Sequence, residues 1–349
     1  MSKTDPGNYF EDFRLGQVIV HATPRTITAG DVALYTALYG PRFSLFSSDA
    51  FARDCGLETA PVDPLVAFHV VFGKTVPDIS LNAVANLGYA EGRFLAPVHP
   101  GDTLAAKSEV IGLKENSNGK TGVVYVRTTG TNQRGVAVLS YVRWVMVRKR
   151  DPGAVVEGQS IPALAGAVAA EHLTPPPGLS FSKYDFAHAG APHAFEDYAV
   201  GEKIDHVDGM VVEEAEAQMA TRLWQNTAKV HFNQFERAKD PSSRRLVYGG
   251  VVISTAKALS FNGLQNAGLI LAINGGRHVS PYFAGGTVFA WSEVLDKADL
   301  GHGIGALRLR LVATVDRPCA DFPDKDEAGA YAPGVILDFD YWAAVPKRG

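Results

Sequence analysis

One histidine in the second half of the sequence, His231, is the side chain best suited to moving a proton. An imidazole changes its charge near neutral pH, so His231 can act as a general base or acid. Asn226, five residues earlier, cannot exchange a proton, but its amide can hydrogen-bond and orient a water molecule. Taken alone, such a histidine is more often half-buried and inert, and such an asparagine more often caps a turn. The surrounding sequence has to decide between these interpretations.

Two glycines, Gly249 and Gly250, open an apolar run at 250–264 that is typical of a buried helix. Backbone N–H groups at a helix start point at a ligand and carry the positive end of the helix dipole. Gly249 is therefore a candidate donor to a developing oxyanion, an interaction worth about 3–4 kcal/mol per donor. The alternative is that the glycines only allow a tight turn.

The chain carries one sequence pattern twice. Residues 10–16 recur as 195–201 at a shift of 185, and residues 92–110 recur as 276–294 at a shift of 184. Nine of the nineteen positions in the longer pair are identical, where average residue usage gives about one or two. We therefore expect two copies of one fold, at 1–150 and 191–349, joined by a linker at 151–190 that is rich in Ala, Gly and Pro.

The two copies differ at the candidate site. Phe46 occupies the position of the histidine in the first copy, and Pro41 occupies that of the asparagine. Pro64 stands where the second copy has the first glycine, and a proline has no N–H to donate. Every difference points the same way, so we expect the second copy to keep a site and the first to act as a scaffold.

Hydrophobic patterning predicts an α+β fold in each copy. Helical spacing of apolar residues marks 31–40 and 214–224, and 64–76 is an apolar run like 250–264. Alternating β-branched and aromatic residues predict strands after the helices of each copy. The expected strand segments are 92–113, 121–133, 135–150, 306–315 and 334–345. The pattern by itself does not fix how the strands and helices are arranged.

Residues 40–52 and 225–237 resemble the motif of the MaoC-like hydratase/dehydratase family, which reads Gly-Asp-x-Asn-Pro-Leu-His, then an acid and Phe-Ala. The first copy keeps the frame of that motif at Gly40, Leu45, Phe51 and Ala52 but lacks its catalytic aspartate and histidine. In the second copy His231 matches the family's histidine and Asn226 replaces its aspartate. Lys229 replaces its proline, Asn233 replaces its acid, and Tyr248-Gly249 matches a following His-Gly step.

This resemblance implies a double hotdog, in which two antiparallel sheets each wrap around a central helix, and a hydro-lyase acting on an acyl-CoA thioester. It implies catalytic roles for His231, Asn226 and Gly249 and substrate binding by Tyr248, Gly250, Lys229 and Asn233. Likeness over nearly the whole chain suggests a short branched dicarboxylic acyl-CoA, with interconversion of 2-methylfumaryl-CoA (mesaconyl-CoA) and β-methylmalyl-CoA. A free substrate carboxylate calls for a cation, for which Lys229 is the first candidate, before Arg222 and Arg237.

The replacement of the family's aspartate leaves the second proton transfer open. His231 can make both transfers, Glu236 or Asp240 can substitute, or a substrate carboxylate can assist. Three other functions remain: an (R)-specific enoyl-CoA hydratase for other chain lengths, a non-catalytic acyl-CoA-binding module, and a thioesterase. The asparagine favours the binding module, and the lack of a carboxylate in the motif speaks against the thioesterase. The repeated Gly-Arg-x-x-x-Pro segments, with Arg93 and Arg277, are interpreted as structural.

Composition excludes several classes of protein. A net charge of −4 without a basic stripe argues against a nucleic-acid partner, and two cysteines do not make a disulfide framework. The first residues are polar and no apolar stretch is long enough for a membrane span, so we expect a cytoplasmic protein without membrane partners. No spacing of His, Cys and Asp suits a metal, and we expect no cofactor. Hotdog sheets commonly pair at their edges, which makes a homodimer compatible with the sequence.

Overall fold

The computed structural model describes residues 3–348. Its strands are β1 (Val18–Val20), β2 (Arg25–Thr26), β3 (Ala83–Phe94), β4 (Thr103–Glu115), β5 (Thr121–Thr131), β6 (Ala137–Arg148), β7 (Lys203–Val211), β8 (Leu269–His278), β9 (Thr287–Gly301), β10 (Ile304–Val315) and β11 (Val335–Pro346). Its α-helices are α1 (Ala29–Tyr39), α2 (Ser44–Ser47), α3 (Asp49–Asp54), α4 (Pro64–Thr75), α5 (Phe186–Ala189), α6 (Glu214–Leu223), α7 (Lys229–Phe232), α8 (Gln234–Arg237), α9 (Gly249–Leu259) and α10 (Phe261–Leu264). Among the described residues, no helix is both long and apolar enough to cross a lipid bilayer.

The strands form one antiparallel sheet in the order β1-β4-β5-β6-β3-β8-β11-β10-β9-β7, with β2 on β4. Each half of this order repeats the other, which confirms the two copies of one fold. The halves meet where β3 pairs with β8, from Tyr89 opposite Gly276 to Arg93 opposite Ala272. The repeated Gly-Arg segments thus lie at the join, and edge pairing between the two copies is made inside one chain.

A buried helix lies against the sheet of each copy. Pro64 is the first residue of α4, a position whose N–H would have no acceptor within the helix. The Asp63 carboxylate caps the helix by accepting from the N–H of Leu65. Every residue of α4 is buried, and α9 is buried from Gly250 to Leu259. The two helices meet at His69 and Ser254, whose Nε2 and Oγ atoms are 2.9 Å apart. These residues are equivalent in the repeat, so they mark the pseudo-twofold axis between the copies.

The elements differ from the sequence-based expectation at several places. The helix expected over 250–264 ends at Leu259, because Asn262 is extended and Gly263 has φ +103°. The strand expected within 92–113, entered through a Pro-Gly turn at 100–101, is β4, and residues 92–94 before that turn are the end of β3. The strands β7 and β8 lack strong alternation and were not expected. The expected helices at 31–40 and 214–224 are present as α1 and α6.

The segment 151–190 is irregular apart from a short helical turn and α5, and it contacts both copies. Ser160 forms an isolated antiparallel bridge with Leu113 of the first copy. Further along, the N–H of Val168 donates to Asn274 and its carbonyl accepts from the Trp342 indole of the second copy. The segment then packs Leu179 against the apolar cluster that includes Ala52 and Cys55. Its role as a linker between two domains stays a prediction.

Candidate active site

His231 lies in α7, half-buried, with its ring fixed by the backbone. Its Nδ1 atom is 2.7 Å from the carbonyl oxygen of Leu246. A carbonyl only accepts, so Nδ1 carries the proton and Nε2 has the free lone pair. Burial lowers the pKa of His231 to about 4, although the Leu246 carbonyl acts in the opposite direction. The neutral ring at physiological pH is therefore a base with a defined tautomer.

The start of α9 lies beside this ring. Tyr248 is the N-cap residue, and its ring centroid is 5.7 Å from that of His231 in an edge-to-face arrangement. Gly249 and Gly250 are the first two helical residues, whose N–H groups have no acceptor within a helix. Both positions are crowded: a Cβ on Gly250 would collide with Tyr248 and His69. The glycines therefore permit close approach to the backbone at the positive end of a buried helix.

A second histidine, His278, lies directly over Gly249. A Cβ added to Gly249 would come within 2.5 Å of Nε2 and 2.7 Å of Nδ1 of that ring. The Tyr89 hydroxyl, on β3 of the first copy, is 3.3 Å from His278 Nε2. Burial lowers the pKa of His278 to about 4, with a smaller effect from His231, so this ring is also neutral. The site is thus completed by a side chain from the other copy.

His278 was missed by the sequence-based reasoning, although a signal was present. It lies in the repeated segment that was interpreted as structural, at the position that Phe94 holds in the first copy. In the same way, Phe46 of the first copy is equivalent to His231 in the repeat. Both imidazoles of this site are therefore marked by the same pattern, a histidine in the second copy at a position where the first copy has a phenylalanine.

The other predicted site residues lie around this centre with different surroundings. Asn226 is buried, and its Oδ1 accepts from the N–H of Ala228 at 3.0 Å, which forms the turn before α7. Asn233 caps α8 by accepting from the N–H of Glu236 at 3.1 Å. Lys229 is exposed at the start of α7, and Tyr248 is buried with its hydroxyl 3.4 Å from His69 Nδ1. The structure brings Tyr248, Gly249 and Gly250 together with His231 and leaves the Lys229 ammonium at the surface.

The two carboxylates considered for proton transfer are engaged elsewhere. Glu236 is exposed and pairs with Lys239 at 3.0 Å. Asp240 forms an ion pair with Arg237, whose Nε also donates to the carbonyl of Arg244. Arg222 is exposed as well, with its Nε directed to the carbonyl of Gln218. Glu236, Arg237 and Asp240 thus hold the segment from α8 to Arg244 in place, whereas Arg222 bonds within α6.

An open cleft of about 210 Å³ leads to His231 from the surface between α6 and the segment before α9. It is lined by polar and apolar side chains: Glu214, Ala217, Gln218, Thr221, Arg245, Leu246 and Val247. The Gln218 amide donates to the carbonyl of His231 at 3.0 Å, which ties α7 to this wall.

The matching place in the first copy is apolar. Phe94 and Pro64, which stand at the positions of His278 and Gly249, line a pocket of about 460 Å³. Its remaining walls include Val62, Pro97, Val138 and, from the second copy, Leu269, Ile270 and Leu271. This pocket has no imidazole, its first helical residue Pro64 has no N–H, and the N–H of Leu65 is used by Asp63, so it lacks a base and a free donor at the helix start.

The arrangement at the second copy suits addition of water to a polarised double bond. The N–H groups at the start of α9 can stabilise negative charge on a carbonyl oxygen, and His231 Nε2 can take a proton from water. Both groups are fixed before a substrate binds, and α9 is buried in a low-dielectric interior where such interactions are strong.

Comparison with known proteins places the chain among enzymes of one kind. Residues 2–316 match the family model described as mesaconyl-CoA hydratase. A mesaconyl-CoA hydratase of Cereibacter sphaeroides is 65% identical over 346 residues, which cover 99% of this chain and 100% of that protein. A β-methylmalyl-CoA dehydratase of Chloroflexus aurantiacus is 61% identical over 350 residues, covering 100% of this chain and 99% of that protein.

Solved structures agree on the fold. The crystal structure of a putative MaoC domain protein dehydratase from Chloroflexus aurantiacus superposes with a TM-score of 0.98 at 61% identity, covering 100% of both chains. A Mycobacterium tuberculosis protein described as a double hotdog superposes with a TM-score of 0.74 at 24% identity, covering 97% of this chain and 98% of that one. The α+β double hotdog expected from the sequence is confirmed, and the chain belongs to the mesaconyl-CoA hydratase family.

Proposed function

We propose that the protein catalyses the reversible addition of water to mesaconyl-CoA, which gives β-methylmalyl-CoA. Relatives at 61% and 65% identity over the full chain carry these two names. The single observation that carries the proposal at the site is the placement of His231 beside the start of α9. One nitrogen of that ring is held by Leu246 and the other is free, and the ring packs against Tyr248, the residue that precedes the two glycines.

In this proposal the thioester oxygen accepts hydrogen bonds from the N–H groups of Gly249 and Gly250. Withdrawal of electrons makes the β-carbon electrophilic, and the oxygen of a water molecule attacks it while Nε2 of His231 takes a water proton. Negative charge collects on the thioester oxygen, where the helix start stabilises it by about 3–4 kcal/mol per donor. The same imidazolium then returns its proton to the α-carbon, so atoms and charge balance without a second acid.

The remaining predicted residues have supporting roles. The Oδ1 atom of Asn226 is used by Ala228, so its NH₂ group is the part available to orient water. Tyr248 closes the space between the two copies through its contact with His69. His278 lies against Gly249 and bonds to Tyr89, which positions the strand β8 at the helix start. The reaction as written requires no cofactor. A cytoplasmic location and a homodimer stay predictions.

The test is the loss of the enoyl-thioester absorbance when purified protein is mixed with mesaconyl-CoA. We expect rapid loss of absorbance with the native protein and a large reduction with His231→Ala. Consumption of crotonyl-CoA but not of mesaconyl-CoA would reassign the chain to a general enoyl-CoA hydratase. Binding of both thioesters without turnover would identify a binding module and would contradict the proposal.

A further inference from the structure

A fully buried arginine lies in the interior of the first copy, on the face of β6 that covers α4. Arg143 is 0% exposed. Its Nη2 atom donates to Thr75 at 2.7 Å, and longer bonds of 3.4 and 3.5 Å reach Ser80. Its Nε–H has no acceptor, and no carboxylate among residues 3–348 forms an ion pair with it. A buried charge without a counter-ion costs several kcal/mol, so this site calls for an anion.

Asn86, on the neighbouring strand β3, is a second polar side chain without partners. Both its Oδ1 and its Nδ2 are buried and form no hydrogen bond. The ladder pairs Asn86 with Val145 and Tyr89 with Arg143, so all four side chains share one face of the sheet. Leu87 is an extra residue in this ladder, a bulge that turns Asn86 inward. Asn86 and Arg143 therefore offer unused donors to the same interior space.

The equivalent positions of the second copy are not polar in this way. Its ladder pairs Ile270 with Ala343 and Ile273 with Tyr341, with a bulge at the same place. In the repeat, Ile270 corresponds to Asn86, Ile273 to Tyr89 and Tyr341 to Arg143. Asn86, Tyr89 and Arg143 thus form a polar set that is present only in the first copy. The imidazoles of His231 and His278 have counterparts only in phenylalanines there.

The two sets face each other across the join of the copies. In the apolar pocket, Ile270 and Leu271 of the second copy line the site of the first. The equivalent residues of the first copy are Asn86 and Leu87, and the pseudo-twofold symmetry predicts that they line the site of the second copy. Tyr89 supplies the direct link, because it lies opposite Arg143 on β6 and its hydroxyl reaches His278.

Contacts through Phe72 bring the guanidinium close to the same centre. The Arg143 Cζ atom is 4.3 Å from the centroid of the Phe72 ring, which lies 5.6 Å from the ring of Tyr248, the N-cap of α9. Arg143 on β6 and Gly276 on β8 both pair with Tyr89, from opposite sides of β3, so their backbones are about 10 Å apart. Four acyl carbons with a hydrogen bond at each end span roughly the same distance.

We propose that Arg143, assisted by Asn86, binds the free carboxylate of a dicarboxylic acyl group and so selects the substrate. The inference rests on the proposed function, because it needs a site at His231 that takes acyl-CoA thioesters. In a 2-methylfumaryl group the free carboxylate is attached to the carbon that receives the hydroxyl. Pairing of this carboxylate with a planar guanidinium through two hydrogen bonds fixes that carbon in front of the base. The first copy would then supply selectivity to the active site of the second.

The experiment measures binding of two saturated thioesters that cannot be hydrated, so its outcome does not depend on turnover. Methylsuccinyl-CoA carries the free carboxylate, and 2-methylbutyryl-CoA has a methyl group in its place. We expect Arg143→Gln to weaken methylsuccinyl-CoA about 100-fold while the affinity for 2-methylbutyryl-CoA stays within about threefold. Asn86→Ile introduces the residue found at the equivalent position of the second copy. It should weaken methylsuccinyl-CoA less than Arg143→Gln does, again with little effect on 2-methylbutyryl-CoA. Arg127→Gln, on the outer face of the adjacent β5, is the matched control.

Equal weakening of both thioesters in folded Arg143→Gln would assign the arginine to a structural role at the end of α4 and overturn the proposal. An unchanged preference for methylsuccinyl-CoA would overturn it as well. Where Arg143→Gln fails to fold, Asn86→Ile and Arg143→Lys carry the test, because each must reduce the preference for the dicarboxylic thioester. Failure of the native protein to hydrate mesaconyl-CoA, with the binding preference intact, would contradict the proposed function alone.

Discussion

Substitution of Gly249 by alanine tests whether the start of α9 is the reaction centre. The new Cβ would lie 2.5 Å from Nε2 of His278, whereas a relaxed contact needs about 3.5 Å. Either the imidazole or the helix start must therefore move by about 1 Å. Overpacking of this kind costs about 1–3 kcal/mol of stability. A shift of about 1 Å between reacting groups costs about 100-fold in rate.

We therefore expect Gly249→Ala to lower kcat/KM for mesaconyl-CoA about 100-fold, followed as loss of the enoyl-thioester absorbance. Gly30→Ala is the matched control, since Gly30 is exposed in the first turn of α1 and a Cβ there meets only the Thr28 hydroxyl at 3.4 Å. Thermal unfolding of both variants separates loss of fold from loss of geometry. If folded Gly249→Ala keeps kcat/KM within about threefold of the native value, the thioester oxygen does not bind at this helix start.

Four further predictions test the site and the contact between the two copies. His231→Asn keeps a donor for the Leu246 carbonyl but removes the base, and should lower kcat about 10²- to 10⁴-fold with little change in melting temperature; a smaller loss would exclude the histidine as the base. Because burial lowers the pKa of His231 to about 4, the acid limb of kcat/KM should lie near pH 4, and a limb near 6.5 would show that the ring is solvated. Burial also lowers the pKa of His69 to about 3, so the neutral ring's contribution to stability is full above pH 6.5 and is lost as the pH falls towards 3, by about 1.4 kcal/mol per pH unit. Urea unfolding at pH 7 and pH 5 measures this loss. His69→Gln should reduce the dependence of the unfolding free energy on pH. Gly73→Ala places a Cβ against the carbonyl of Trp224, where α4 contacts the end of α6, and should lower the melting temperature by several degrees; unchanged melting would show that this contact between the copies is loose.

The duplication made most of the fold predictable from the sequence. The repeat aligned α2 with α7 and α4 with α9, and Gly40 with Gln225, both of which have positive φ in the structure. The short strands β1 and β2 and the strands β7 and β8 could not be predicted, since they take their conformation from neighbours far along the chain. Pairing of β3 with β8 likewise depends on both copies being folded.

Site residues were predictable only where a motif or the repeat marked them. His231, Tyr248, Gly249 and Gly250 are contiguous with recognisable sequence, and the structure brings them together. Lys229 was preferred as the carboxylate's cation because it replaces the family's proline inside the motif, but the residue is exposed at the surface. Arg143 lies in the middle of a strand in the other copy, and only the bulge, the burial and the missing counter-ion distinguish it.

The join of the two sheets explains how the first copy can serve the site of the second copy without the imidazoles of His231 and His278. Because the sheets join at β3 and β8, each sheet supplies the far wall of the other copy's site, as Ile270 does for the apolar pocket and Tyr89 does for His278. The proposed active site therefore combines imidazoles of the second copy with the sheet of the first. The wall that faces the apolar pocket carries Ile270 and Ile273 at the positions where the other wall carries Asn86 and Tyr89. A variant that exchanges the two equivalent residues, Asn86→Ile with Ile270→Asn, should keep the fold and reduce the preference for a dicarboxylic thioester as much as Asn86→Ile does alone, because the new asparagine faces the apolar pocket.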